Sequence, residues 1–598
     1  MNPAFLQNLS TRLAENFKVP SNEFFIFPEI PPHNIDADIT INCFRLVSFL
    51  KVKPELIAEN VEEILKTMPQ VGGVQRIKAF VNVNLKPEVL HQECVESARN
   101  TIVNSILAPD KHMRILIEFS SPNTNKPLHL GHLRNNAIGN SVAELLKKAG
   151  HTVIKVNLIN DRGIHICKSM LAYKLFGNNI TPKEAGKKGD HLVGDFYVKF
   201  DQELKKQIEE LKKTNPELRE LGEEELFLKT PIGSEAQEML KKWEEGDCEV
   251  RNLWKKMNSW VMEGFKETYQ RMGVFFDKYY FESNTYLYGK KIVEEGLQKG
   301  IFSKRQDAAI FANLEKYSLG EKVLLRPDGT SVYITQDIGT TLIKQEEFSP
   351  DQQIWVVGDE QIRHFQTLFA IMKELGYSWA ERLTHLSYGM VNLPSGKMKS
   401  REGTVVDADD LFEELFNLAK NATLKRIDSE IPEDINERAE LIAMGALKFM
   451  LLKFNPKTTI TFDPQASVKF EGDTGPYVQY ACARINSILK KCSESGFEYN
   501  PESTNFALMS SKEERELSVF CSLYFSSLYF AIEKLDPSIL SSYLLDLAKK
   551  FSRFYREHSI LNAENDSLRN ARISLALTVR DILKEGLAIL GIQVPEAM

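Results

Sequence analysis

The segment EFSSPNTNKPLHLGHLRNNAIG, residues 118–139, closes a short apolar run and enters a helical pattern, and that junction sets the fold class. The run before it, Met113 to Phe119, is apolar and β-branched, as a buried parallel strand requires. Ser120, Ser121, Pro122 and Asn123 break it. Gly131, lacking a Cβ, lets a ligand approach the backbone, and the helix start beyond offers unpaired N–H groups and the positive end of a dipole to phosphate. His129 and His132 flank that glycine. An imidazole can donate to phosphate oxygens and still pack on a sugar or base, so the pair suits a triphosphate attacked at its α-phosphorus. Two histidines that only cap or pack a helix start would leave the same letters.

Working outward, 598 residues give a soft expectation of about four domains and ample chain for several cores. A hydrophobic content of 43% with 26% charged residues excludes wholesale disorder. The net charge of −7 provides no global cationic field, so a nucleic-acid surface would have to be a local basic patch. Seven cysteines, an odd number without a CxxC pair, read as reduced thiols. The N-terminal stretch lacks a signal-peptide core and no apolar run approaches the roughly 20 residues of a membrane span, so a cytoplasmic protein without membrane contact is expected.

The pattern SPNxxKPxHxGHxR in residues 121–134 resembles the first signature of class I aminoacyl-tRNA synthetases, in the form typical of arginyl-tRNA synthetases. Such enzymes carry a lysine loop of the KMSKS type downstream, and GKMKSREG at 396–403 resembles it. Lys397 takes the first lysine position and Ser400 the second, with cations displaced to Lys399 and Arg401. The resemblance implies that Lys126, just before the histidine signature, compensates by neutralising phosphate charge. The alternative for KMKSR is a solvated basic loop.

The expected architecture is multidomain α/β: a Rossmann-type doubly wound parallel catalytic domain at 109–424, an N-terminal α+β domain at 1–108, and an all-α C-terminal bundle at 425–598. Strands are expected at Ile115–Phe119, Val153–Ile159 and Ile354–Val357. Between the halves, about 166–272, an insertion carries charge-dense runs at Asp201–Lys213 and Glu235–Lys256 that read as solvated helix faces. Asp190, His191 and Asp195 within it lack further metal ligands at recognisable spacing, so no metal site is expected.

A carboxylate beside aromatics suits a guanidinium, and Glu282 follows such a cluster in FDKYYFESNTYLYG. Tyr333 and Asp337 are four apart and would share one helix face. The resemblance implies that Glu282, Tyr333 and Asp337 contact substrate arginine and that Asn123 and Gln361 hold its α-amino and carboxylate groups. It also places Gly131, Gly358, His364, Lys397, Met398 and Lys399 with ATP, alongside His129 and His132. His364 as a packed helix residue is the alternative.

For tRNA, the resemblance puts Phe80 and Asn82 of FVNVNL against a D-loop base. A half-exposed strand is the competing reading. At the other end, GPYVQYACAR at 475–484 and the closing LGIQVPEAM are typical of arginyl enzymes. Tyr477, Tyr480 and Arg484, with Arg553, Tyr555 and Arg556, could stack on and neutralise an unstacked anticodon. The implied function is charging of tRNA(Arg) with L-arginine at the expense of ATP carried with Mg2+, by a monomer, with His129, His132, Lys126 and Lys397 supplying positive charge. The family usually needs bound tRNA before the adenylate forms. A cysteinyl enzyme, a small-molecule nucleotidylyltransferase and a non-catalytic tRNA-binding chain are the rivals.

Overall fold

The computed structural model describes residues 3–20, 24–394, 406–427 and 430–598. The strand ahead of the signature is Arg114–Glu118, and the helix after it is Leu130–Ala149, buried along nearly its whole length. That strand lies at the centre of a five-stranded parallel sheet. Leu383–Tyr388 and Gln352–Gly358 stand on one side of it, Thr152–Ile159 and Lys278–Phe281 on the other. The chain winds outward from the centre in one direction and then returns to wind in the other. The strand order therefore reverses between Arg114–Glu118 and Gln352–Gly358, the place where open α/β sheets bind ligands beyond their carboxyl ends.

Two strands of this sheet escaped the sequence reading. Lys278–Phe281, read as an aromatic cluster, pairs in parallel with Thr152–Ile159. This changes the insertion's place: its helices lie within the first half of the sheet, as the crossover between two neighbouring strands, rather than between the halves. The charge runs lie on helices Gly189–Thr214, Pro231–Glu245 and Cys248–Met272, whose buried residues join the same hydrophobic cluster as the sheet. The other strand, Leu383–Tyr388, closes the opposite edge.

The N-terminal unit is a four-stranded antiparallel sheet with helices and its own core. It docks far along the chain. Arg515 donates to both carboxylate oxygens of Asp38, at 2.7 and 2.5 Å, and to the Leu85 carbonyl. The buried ring of His91 spans Ser518 Oγ at 2.7 Å and the Met509 carbonyl at 2.9 Å, and burial pushes its pKa down to about 4. From Ala408 onward the chain is helical apart from the short strand Ile460–Thr461, and Ile435–Leu452, Tyr524–Glu533 and Pro537–Glu557 pack on the signature helix. Among the described residues no helix is long and apolar enough to cross a membrane.

Candidate active site

The turn after the central strand is built on two left-handed serines, Ser120 (φ 77°) and Ser121 (φ 45°), each costing of order 1–3 kcal/mol. Side chains over-determine it. Asn135 Oδ1 accepts from the Ser120 N–H at 2.6 Å and Asn157 Oδ1 from that of Ser121 at 3.0 Å. The buried Tyr269 hydroxyl is 2.7 Å from Ser120 Oγ. Asn135 also donates to the Val356 carbonyl, fastening the turn to the neighbouring strand across the reversal.

His129 and His132 cap their helix and leave one ring edge each for other work. His129 Nδ1 accepts from the Gly131 N–H and His132 Nδ1 from the His129 N–H, both at 3.2 Å, and the rings lie 3.9 Å apart. An Nδ1 that accepts places the proton of a neutral ring on Nε2. Gly131 serves this geometry, since a Cβ there would stand 3.0 Å from the His129 ring. Burial, reinforced by Lys126, drives the His129 pKa down to about 3, and burial holds that of His132 well below the ordinary histidine value. The expectation that these histidines carry positive charge is therefore corrected: they are neutral N–H donors, because two cationic rings in contact beside an ammonium would be too poorly solvated. Lys126 supplies the charge, although burial lowers its pKa too.

Beyond the neighbouring strand ends, three carboxylates gather. Asp161, 3% exposed, accepts from the Ser283 N–H at 2.9 Å and from its hydroxyl at 2.7 Å, fixing the turn that carries Glu282. Burial pushes Glu282 up to about 7, opposed by the nearby Arg162 guanidinium and added to by repulsion from Asp161 and Asp337. Arg162 is itself engaged, stacked 3.9 Å over Tyr286 and paired with Glu244 at 2.9 Å. Tyr333 opens the helix Tyr333–Phe348 with 80% exposure, and Asp337 follows one turn later. His364 Nε2 stands 2.6 Å from Asp337, so this ring also supports the carboxylate group. Asn123 and Gln361 are exposed at the two strand ends. Over Gly358 the space for a Cβ is taken by the flexible Glu360 carboxylate at 2.4 Å, so a nucleotide reaching this backbone must displace it.

Lys397, Met398 and Lys399 lie outside the described residues, but the chain on both sides is fastened to the signature. Fully buried Arg134 donates to the carbonyls of Gly389 and Met390 at 2.7 Å, Thr458 at 2.7 Å and Pro456 at 3.2 Å. On the far side the Leu130 N–H donates to the Val406 carbonyl and the Ala408 N–H to that of Leu128. Sequence reasoning had Arg134 only as a letter of the signature; its four carbonyl partners come from distant loops.

At the positions expected to meet RNA, Tyr480, Arg484, Tyr555, Arg556 and Met598 line a groove of about 570 Å³. Arg484 donates to the Tyr480 hydroxyl at 3.1 Å and lies 4.7 Å over its ring; Tyr477, half-buried, donates to Ser552. In the N-terminal sheet Phe80 is half-buried against the exposed ring of Phe44. Asn82 is 4% exposed and accepts from Thr40 at 2.6 Å across the register, so its proposed reading of a base edge is corrected: the amide is spent inside the sheet.

The family model described as tRNA synthetases class I (R), catalytic domain, matches residues 98–463. The chain belongs to the class I arginyl-tRNA synthetases. A second model, the DALR anticodon binding domain, matches 478–598. The arginine–tRNA ligase of Bacteroides thetaiotaomicron is 44% identical over 566 residues, 94% of each chain. That of Amoebophilus asiaticus is 46% identical over 94% of this chain and 93% of its own. In fold, Thermus thermophilus arginyl-tRNA synthetase superposes over the whole of both chains with a TM-score of 0.81 at 24% identity. Membership of the arginyl family removes the cysteinyl and nucleotidylyltransferase rivals.

Proposed function

We propose that this chain joins L-arginine to ATP, carried with Mg2+, to give arginyl-adenylate and pyrophosphate, and then passes the arginyl group to the 3′-terminal adenosine of tRNA(Arg). The observation that carries the reading is the under-neutralised carboxylate group of Asp161, Glu282 and Asp337 beside the histidine turn. A planar guanidinium with five donors fits forked acceptors, and Tyr333 offers a ring to cover it. A lysine ammonium would satisfy the same acceptors less well.

No protein nucleophile is needed. The substrate carboxylate attacks the α-phosphorus, and the chain contributes position and electrostatics. His129 and His132 aim Nε2–H dipoles at phosphate oxygens, while Lys126 and Lys397 counter the charge that builds on the departing pyrophosphate. Asn123 and Gln361 orient the α-amino and carboxylate groups. Phe80 at one end, and Tyr477, Tyr480 and Arg484 at the other, offer stacking and cationic contacts to the tRNA. The test is arginine-dependent ATP–pyrophosphate exchange, with and without tRNA. Exchange with arginine and none of the other amino acids supports the reading, and tRNA binding without exchange under either condition favours a non-catalytic chain.

A further inference from the structure

A second charged cluster stands beside the histidine turn, and the activation chemistry does not use it. The helix Gly189–Thr214 begins against Cys248–Met272 at Gly264, where a Cβ would lie 2.3 Å from Asp190 Oδ1. That contact buries Asp190 completely; its Oδ2 has no hydrogen-bond partner among the described residues and faces the Lys188 ammonium at 3.4 Å. Lys188 also donates to Thr268 at 2.6 Å and pairs closely with Asp409. His191 Nε2 reaches Asp409 Oδ2 at 2.9 Å and lies 3.6 Å from Asp407. Thr268 donates to the remaining Asp409 oxygen at 3.2 Å. Asp407 in turn caps the helix Ala408–Leu424 by accepting from the Asp409 N–H at 2.8 Å.

Asp190, His191 and Asp409 offer ligand atoms within 4.8 Å of one another, yet the Lys188 ammonium already lies against both carboxylates. The cluster is thus a cation-filled clamp. What it clamps is informative. Asp407 and Asp409 directly follow the lysine-rich stretch 396–403 in sequence, and the backbone between them and that stretch is bonded to Leu128 and Leu130 of the histidine turn. Lys188 and His191 from the crossover insertion therefore grip the chain beside the two backbone bonds that hold it on the turn. Asp409 is held as an anion, its pKa pulled down to about 2 by His191 and Lys188 against the effect of burial.

We propose that Lys188 and His191 are positioning residues for amino-acid activation: by clamping Asp409 they fix the backbone of Val406 and Ala408 on Leu130 and Leu128, and so hold the turn that carries His129 and His132. They touch no substrate. The inference rests on the proposed activation reaction, since it assigns them an effect on that step through the histidine turn. A displacement of about 1 Å at a catalytic group can cost roughly 10²-fold in rate.

The test compares Lys188→Met, His191→Ala and Asp409→Asn with wild type and with Lys187→Met, which breaks only the exposed pair to Asp195. Pyrophosphate exchange, binding of L-arginine by calorimetry and thermal unfolding are measured for each. The clamp predicts kcat of exchange lowered roughly 30- to 100-fold in the first three variants, with arginine affinity within about twofold of wild type. It also predicts rescue by Lys188→Arg and His191→Gln, which keep the donors, and a Lys188→Met/Asp409→Asn double variant no slower than the worse single one. Unchanged kcat, or losses of rate and arginine affinity that track a fall in Tm without rescue, would overturn it. Wild type lacking arginine-dependent exchange both with and without tRNA would instead fault the proposed function.

Discussion

Glu282 makes the arginine site sensitive to pH in a direction the structure fixes. Its pKa in the free protein, about 7, exceeds the ordinary glutamate value because burial and the nearby carboxylates Asp161 and Asp337 disfavour its charge. A bound guanidinium favours the ionised form, so arginine binding below neutrality must first expel a proton. Above pH 8 the carboxylate is ionised and affinity levels off. At pH 6 only about one molecule in ten is ionised, so arginine should bind roughly tenfold more weakly, about 1.4 kcal/mol. In the free protein the same raised pKa opposes folding increasingly as pH climbs from the unfolded value towards 7. Calorimetry of L-arginine binding between pH 5.5 and 8, in buffers of different protonation enthalpy, reads both the affinity slope and the proton released. The Glu282→Gln variant should bind weakly without the slope, and neutral L-citrulline should show no slope on wild type. A flat wild-type profile, or a slope that survives in Glu282→Gln, would refute the assignment.

Three further outcomes follow from the same geometry. The substitution His132→Asn keeps a side-chain acceptor for the helix start and removes the ring donor, so kcat of exchange should fall about 10²-fold while arginine affinity stays within about twofold; unchanged turnover would reduce His132 to a cap. For Arg134→Met, four carbonyls lose a buried charged donor, and chemical denaturation should report a loss of at least about 3 kcal/mol; a loss below about 1 kcal/mol would contradict the hub. Of the seven cysteines only Cys248 is exposed, and burial pushes Cys43, Cys94, Cys167 and Cys482 up to about 12, so a thiol reagent at pH 8 should titrate one fast equivalent in the native protein; two or more fast equivalents would show that the cores open readily.

The strand, turn and helix at 113–149 were legible because each of their signals is short-range: β-branched residues, breakers, a glycine and a helical period. The same holds for Tyr333 and Asp337, one helical turn apart. Local letters could not show what distance in sequence hides. His191 meets Asp409 218 residues later, and His91 meets Ser518 across 427. For Asn82 the resemblance points to a base contact and the period of two to a half-exposed strand; neither shows that its amide is buried and bonded to Thr40 on the neighbouring strand. Lys278–Phe281 was missed because KYYF reads as aromatic packing until a parallel neighbour is known. The charge of the two histidines was misread for another reason: a sequence carries residue types but not their desolvation.

The most direct test of the account is aminoacylation of total tRNA with each of the twenty labelled amino acids in turn. The carboxylate group around Glu282 and the neutral histidine pair predict that arginine alone is charged and that Asp337→Ala abolishes most of this charging while ATP binding persists. Charging with a different amino acid, or stable tRNA binding with no charging by any, would contradict it.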